Sequence, residues 1–160
     1  MTISTFDAIE ANFIYLWIWH ADKIPPHIGC SVNGSYFSLK VNGLDLNFPV
    51  DKALGIIKYK SIPSLLIQTT IISSETELSD VFLASKNDIN LGLSCLSPVR
   101  NAVGAPDSMQ KIKDLIDYLH QNAEIKHIFG LNLKDSFVDI PEYSIVDIQQ
   151  RLAYLSNVKG

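Results

Sequence analysis

The pair Asn33-Gly34, set between IGCSV and SYFSLKV, constrains this chain more than any other feature. Asn-Gly is the preferred centre of a two-residue type I′ hairpin turn, in which both residues take positive φ. A loop that short fixes the register. Val32 then opposes Ser35, Cys30 opposes Phe37, Gly29 opposes Ser38, and His27 opposes Lys40. Side chains on a strand alternate between faces. Ile28, Cys30, Val32, Phe37, Leu39 and Val41 therefore share an apolar face. His27, Gly29, Ser31, Tyr36, Ser38 and Lys40 share the other, which reads as polar and exposed.

A hairpin needs partners to be stable, and the flanking sequence supplies them. NFIYLWIWH (12–20) is rich in aromatic and β-branched residues and apolar on both faces, the pattern of a strand covered on both sides and central in its sheet. The Pro-Pro of DKIPPH ends it, because consecutive prolines cannot continue a ladder. SLLIQTTII, within 63–72, reads as a second buried strand. FPVDKALGIIKYK places Val50, Ala53, Leu54 and Ile57 at helical spacing. Ser74 and Glu77 have the spacing of a capping box, opening a helix that runs to about Ala84. CLSPVRNAVG predicts a short helix stopped by Gly104, with Pro98 suited to its first position. PDSMQKIKDLIDYLHQ is strongly amphipathic, with Met109, Ile112, Leu115, Ile116 and Leu119 on one stripe. IKHIFGLNL reads as extended. SIVDIQQRLAYLSNV predicts a last helix, with Ser144 and Asp147 at its start and Ile145, Ile148, Leu152 and Leu155 inward. The expected fold is α+β: one domain over 1–160, an antiparallel-rich sheet with flanking helices.

Composition narrows the function. Apolar residues make up 47% and charged residues 19% of 160 residues, which suits a globular domain with a real core. The net charge is −4 and the 13 Lys and Arg form no run, so the footprint of a nucleic-acid or anionic-membrane binder is missing. The longest apolar stretch, Phe13 to Trp19, is too short for a membrane span. MTISTFDAIEANF has no basic segment of the kind that opens a signal peptide. Together with only two cysteines, Cys30 and Cys95, this leads to an expectation of a cytoplasmic protein with free thiols.

His120, next to the helical stripe, reads as a surface residue, and His127, in an apolar run, as a satisfied core histidine. His20, Asp22, His27 and Cys30 match no standard zinc spacing, and His27 and Cys30, three apart on a strand, point to opposite faces. No Gly-rich phosphate loop and no paired carboxylates are visible. No metal and no cofactor are implied. Cys30 belongs to the apolar face as a small core residue. Cys95 sits near the start of a helix, whose positive end lowers a thiol pKa. A histidine brought near it would be its base.

The run HIGCSVNGSYFSL, a histidine at the head of a strand with Cys95 downstream at a helix start, resembles the circularly permuted papain-like (NlpC-like) cysteine hydrolases and acyltransferases. The likeness covers roughly residues 25–100. It implies a papain-like variant of the α+β fold, with Cys95 as nucleophile, His27 as general base and Ser38 as orienter of the imidazole. The substrate would be an amide or ester, a small molecule or a peptide. Lys40 opposite His27 would disfavour the imidazolium this chemistry needs. WIWHADKIPPHIGCSV and YFSLKV also look like small uncharacterised proteins of Bacteroidetes-type bacteria. The rival expectation is a non-catalytic binding or assembly domain, its contacts made by the polar hairpin face with Tyr36 and by strand 13–19.

Overall fold

The computed structural model describes residues 3–89, 93–133, 146–147, 150 and 152–154. Its centre is the strand β2 (Phe13–Trp19), fourth in a seven-stranded sheet. After the two-residue β1 (Ser4–Thr5), the chain order is β2, β3 (His27–Val32), β4 (Ser35–Lys40), β5 (Gly43–Pro49), β6 (Ser64–Ile72) and β7 (Ile125–Leu131). The spatial order is β1-β7-β6-β2-β3-β4-β5. Every neighbouring pair is antiparallel except β1 with β7.

The two-sided apolarity of β2 has a direct cause. Ile14, Leu16 and Ile18 face one core, Tyr15 and Trp17 a second, and all five are fully buried. The first core is roofed by α2 (Glu75–Ala84), α3 (Leu96–Ala102) and α4 (Ile112–Gln121), through Leu78 and Phe82, Leu96 and Val99, and Ile112, Leu115, Ile116 and Leu119. The second is closed by α1 (Val50–Tyr59) through Val50, Ala53 and Ile57, with Phe6 and Ile9 packed against it. Helices thus flank both faces of the sheet.

The hairpin pairs as its register requires, Val32 with Ser35, Ser31 with Tyr36 and Cys30 with Phe37. Its turn differs from the expectation. Asn33 has φ of 56°, but Gly34 lies outside the left-handed region, the pattern of a II′ rather than a I′ turn. The tip is held from both sides: Asn12 N–H donates to Asn33 Oδ1 (2.9 Å), and Val50 N–H donates to the Gly34 carbonyl (3.0 Å). The second bond also satisfies the first amide of α1, whose N-cap, Pro49, has no side-chain acceptor to offer.

The face expected to be polar and exposed is buried. Ser31 and Ser38 are fully buried and Tyr36 is 3% exposed. Their polar atoms find partners within the sheet: Trp17 Nε1 donates to Ser31 Oγ (2.8 Å) and Ser38 Oγ donates to Asp45 Oδ2 (2.8 Å). Tyr36 packs edge-on to Trp17 and Trp19. It is therefore unavailable as a surface for partners.

The Ser74 hydroxyl caps α2 by accepting from Glu77 N–H (3.1 Å), while Glu77 reaches Ser73 Oγ (2.8 Å), which leaves the reciprocal half of a capping box unmade. Gly104, with φ of 70°, follows α3 as expected. Helix α3 starts at Leu96, so Pro98 lies inside the first turn and Cys95 takes the N-cap position. Within the last expected helix, the described residues 146–147, 150 and 152–154 are helical, and Leu152 packs on the first core. Ser144, Ile145, Ile148 and Leu155 lie outside the described residues. No helix among the described residues is long and apolar enough to cross a membrane.

Candidate functional site

At one end of the sheet, where β2 runs out and β3 begins, the packing leaves a cavity of about 600 Å³. That is within the range of sites for small organic ligands. Its wall is built from segments distant in sequence. The loop 20–26 supplies His20, Lys23, Ile24, Pro25 and Pro26. Trp19 and His27 stand at the facing ends of β2 and β3, and Leu39, Lys40 and Val41 at the end of β4. Lys60 comes from the end of α1, Ser94, Cys95 and Leu96 from the head of α3, and Ile112 from the head of α4, with Ile89 and Leu152 completing the wall. The loop is fixed rather than loosely draped: Ala21 N–H donates to the Pro63 carbonyl and Lys23 N–H to the His20 carbonyl, both at 2.9 Å.

His27 is half-buried in this wall. Burial pushes its pKa down to about 4, the nearby Asp45 opposes the drop, and Lys40 and His20 add to it. Lys40 thus acts on His27 as the hairpin register anticipates. Asp45 is already engaged, accepting from Lys40 Nζ (3.0 Å) and from Ser38. Ser38, expected to orient the imidazole, spends its hydroxyl proton on Asp45 instead.

Cys95 is half-buried at the N-cap of α3. The backbone of Ile28 and of Cys95 itself favours the thiolate. Burial outweighs both and raises the thiol pKa, opposite to the lowering expected from a helix start. A seven-residue helix has little dipole to oppose this.

The two residues line one cavity. Ile28 belongs to the core under α3, and Cys95 packs against that core. By alternation His27 shares the other face with Ser38, whose partner is Asp45. The charges that act on His27 come from Asp45, Lys40 and His20, and those acting on Cys95 do not include His27. Burial thus favours the neutral imidazole and the protonated thiol at neutral pH.

Cys30 is fully buried in the first core beside Ile28 and Val32, and burial pushes its thiol pKa far up. Among the described residues no group of three or more His, Cys, Asp and Glu is placed to hold a metal ion. His120 is exposed. His127 is exposed too, its ring tilted against Phe129 with centroids 5.7 Å apart, rather than buried as its apolar surroundings suggest. Burial also leaves one unsatisfied donor at the cavity. The Tyr36 hydroxyl lies within reach of Ser38 and of the Trp19 indole, yet Trp19 Nε1 completes no hydrogen bond.

The cavity's charged lining was not read from the sequence. The titratable bases lining it are Lys23, Lys40, Lys60, His20 and His27, and no Asp or Glu joins them among the described residues. Lys23 and Lys60 lie far apart in the chain, and no spacing rule connects them. No protein-family model matches the chain, and no curated protein or solved structure is significantly similar to it.

Proposed function

We propose that this protein is a non-catalytic binding domain whose site is the cavity at the β2–β3 end of the sheet. One observation carries the reading. Burial disfavours the charged forms of the two groups that would do chemistry there, lowering the His27 pKa to about 4 and raising that of the Cys95 thiol, which supports binding over catalysis. A nucleophilic cysteine needs the reverse, a thiolate beside a base that accepts its proton. What remains is a roomy, largely apolar hollow with fixed walls, which suits holding a ligand.

The runner-up is a cysteine hydrolase or acyltransferase acting on an amide or ester, with Cys95 as nucleophile, His27 as base and Ser38 as orienter. It is favoured by one fact, that Cys95 and His27 line the same cavity. A single set of measurements separates the two. A neutral apolar dye such as Nile red should bind saturably, one per chain. Cys95→Phe and Val41→Phe, which fill the hollow from two sides, should each weaken binding at least tenfold while far-UV circular dichroism stays unchanged. A p-nitrophenyl ester should give no burst of product. A burst that disappears in Cys95→Ala, with dye binding indifferent to both filling variants, would overturn the binding reading.

A further inference from the structure

The sign of the cavity lining runs against the charge of the whole protein. The chain carries a net charge of −4, yet among the described residues every ionisable side chain lining the cavity, apart from the Cys95 thiol, is a base. These bases differ in what they have to offer. Lys40 is already paired with Asp45 at 3.0 Å. His27 is neutral at pH 7, because its pKa is about 4. Lys23 and Lys60 are exposed and form no ion pair among the described residues. They come from adjoining structures, since the Ala21 N–H to Pro63 carbonyl bond (2.9 Å) ties the loop carrying Lys23 to the turn that follows Lys60. Lys60 also caps α1, where a cation complements the helix C-terminus. No comparable local reason accounts for Lys23. Below this rim the floor is apolar, with Leu39, Leu96 and Ile112 almost fully buried.

We infer that the cavity takes an amphipathic monoanion, with a carboxylate at the Lys23–Lys60 rim and an apolar body on the Leu39, Leu96 and Ile112 floor. This rests on the binding reading above. Two considerations favour a single negative charge over a phosphate ester. Among the described residues no arginine lines the cavity to offer a bidentate fork, and no glycine lines it to bring backbone amides around a phosphate. Lysine instead supplies point charges, which suit one anionic head. Both lysines are solvated, so each contributes modestly, and the apolar body provides most of the affinity.

The apolar body could be an alkyl chain or an aromatic ring system, so two ligand pairs serve as probes: decanoate against decanol, and 2-naphthoate against 2-naphthalenemethanol. Each is titrated into the wild type and into Lys23→Met/Lys60→Met, which removes both charges while keeping side-chain length at exposed positions. In at least one pair, the acid-to-alcohol affinity ratio should fall about fivefold in the double variant, while the alcohol binds both proteins alike. That fall should shrink at 1 M salt, where surface charges are screened. The pair that shows it identifies the apolar body. If both alcohols bind and both ratios stay the same, the anion assignment fails and the binding reading survives. If no acid or alcohol binds saturably, the binding reading fails and takes the anion assignment with it.

Discussion

Replacing His27 by Gln should make the protein less sensitive to acid. The wild-type imidazole has its pKa lowered from 6.5 to about 4, mainly by burial, with Lys40 and His20 adding and Asp45 opposing. The unfolded chain therefore takes up a proton near pH 6.5 that the folded chain refuses until about pH 4. Between those values the unfolded state binds more protons, so wild-type stability rises with pH. This contribution is fully present above pH 6.5 and is lost as pH falls toward 4. Each pKa unit is worth about 1.4 kcal/mol, which gives a loss of about 2.5 kcal/mol by pH 4.5. The solvent that reaches a half-buried ring trims this to about 2 kcal/mol.

Gln cannot titrate, and it retains a polar group for the cavity wall. Urea denaturation of both proteins at pH 7.5 and 4.5 isolates the effect, because the other three histidines and all carboxylates are common to both. The wild type should lose about 2 kcal/mol more than His27→Gln over that interval. An NMR titration of the folded wild type should place the imidazole midpoint near 4. Parallel losses in the two proteins, or a midpoint near 6.5, would refute the burial argument. The case against His27 as a catalytic base at neutral pH would fall with it.

Gly29 lies under the Tyr36 ring: a Cβ there would collide with the Tyr36 hydroxyl and stand 2.7 Å from the Phe37 carbonyl. Gly29→Ala should cost about 2–3 kcal/mol by overpacking. Gly34→Ala, with open space and no left-handed φ, should cost less than about 1 kcal/mol, and equal losses in urea melts would count against the turn as described. Ser74→Ala removes the 3.1 Å cap from α2 and should cost about 1 kcal/mol by the same assay. Iodoacetamide should label Cys95 more slowly than free cysteine at pH 7, at a rate indifferent to His27→Gln, and should reach Cys30 only on unfolding. Rapid labelling at pH 6 that slows in the His27 variant would reinstate the hydrolase.

Much of the sheet is legible in the residues. The run 13–19 is apolar at every position, and only a central strand covered on both faces buries five residues in a row, Ile14 to Ile18. The Asn33-Gly34 loop fixes the β3–β4 register because two residues leave no room to slip. The polarity of the hairpin's second face misleads because hydroxyl-bearing side chains are inexpensive to bury when a partner stands across the sheet. Ser31 has Trp17, Ser38 has Asp45, and Tyr36 lies over Gly29 with its ring against Trp17 and Trp19. None of those partners is visible from the alternation alone. Strand β5 escapes because GLDLNFP is a half-exposed edge whose Asn47 takes φ of 52°, which blurs the two-residue period. The cavity escapes for a different reason: its walls come from segments joined only by tertiary packing.

The relation between Cys95 and His27 shows where the inference from residues stops. Alternation alone puts His27 and Ile28 on opposite faces of β3. What it leaves open is which of those faces α3 covers. The helix packs on the Ile28 side, because Leu96 and Val99 need an apolar floor and Ile28, Cys30 and Val32 provide one. The other face is filled by the aromatic cluster of Tyr15, Trp17 and Tyr36, which α1 closes. The thiol consequently sits against the first core, where burial raises its pKa. Core packing decides which side α3 takes, and no spacing along the chain encodes that choice.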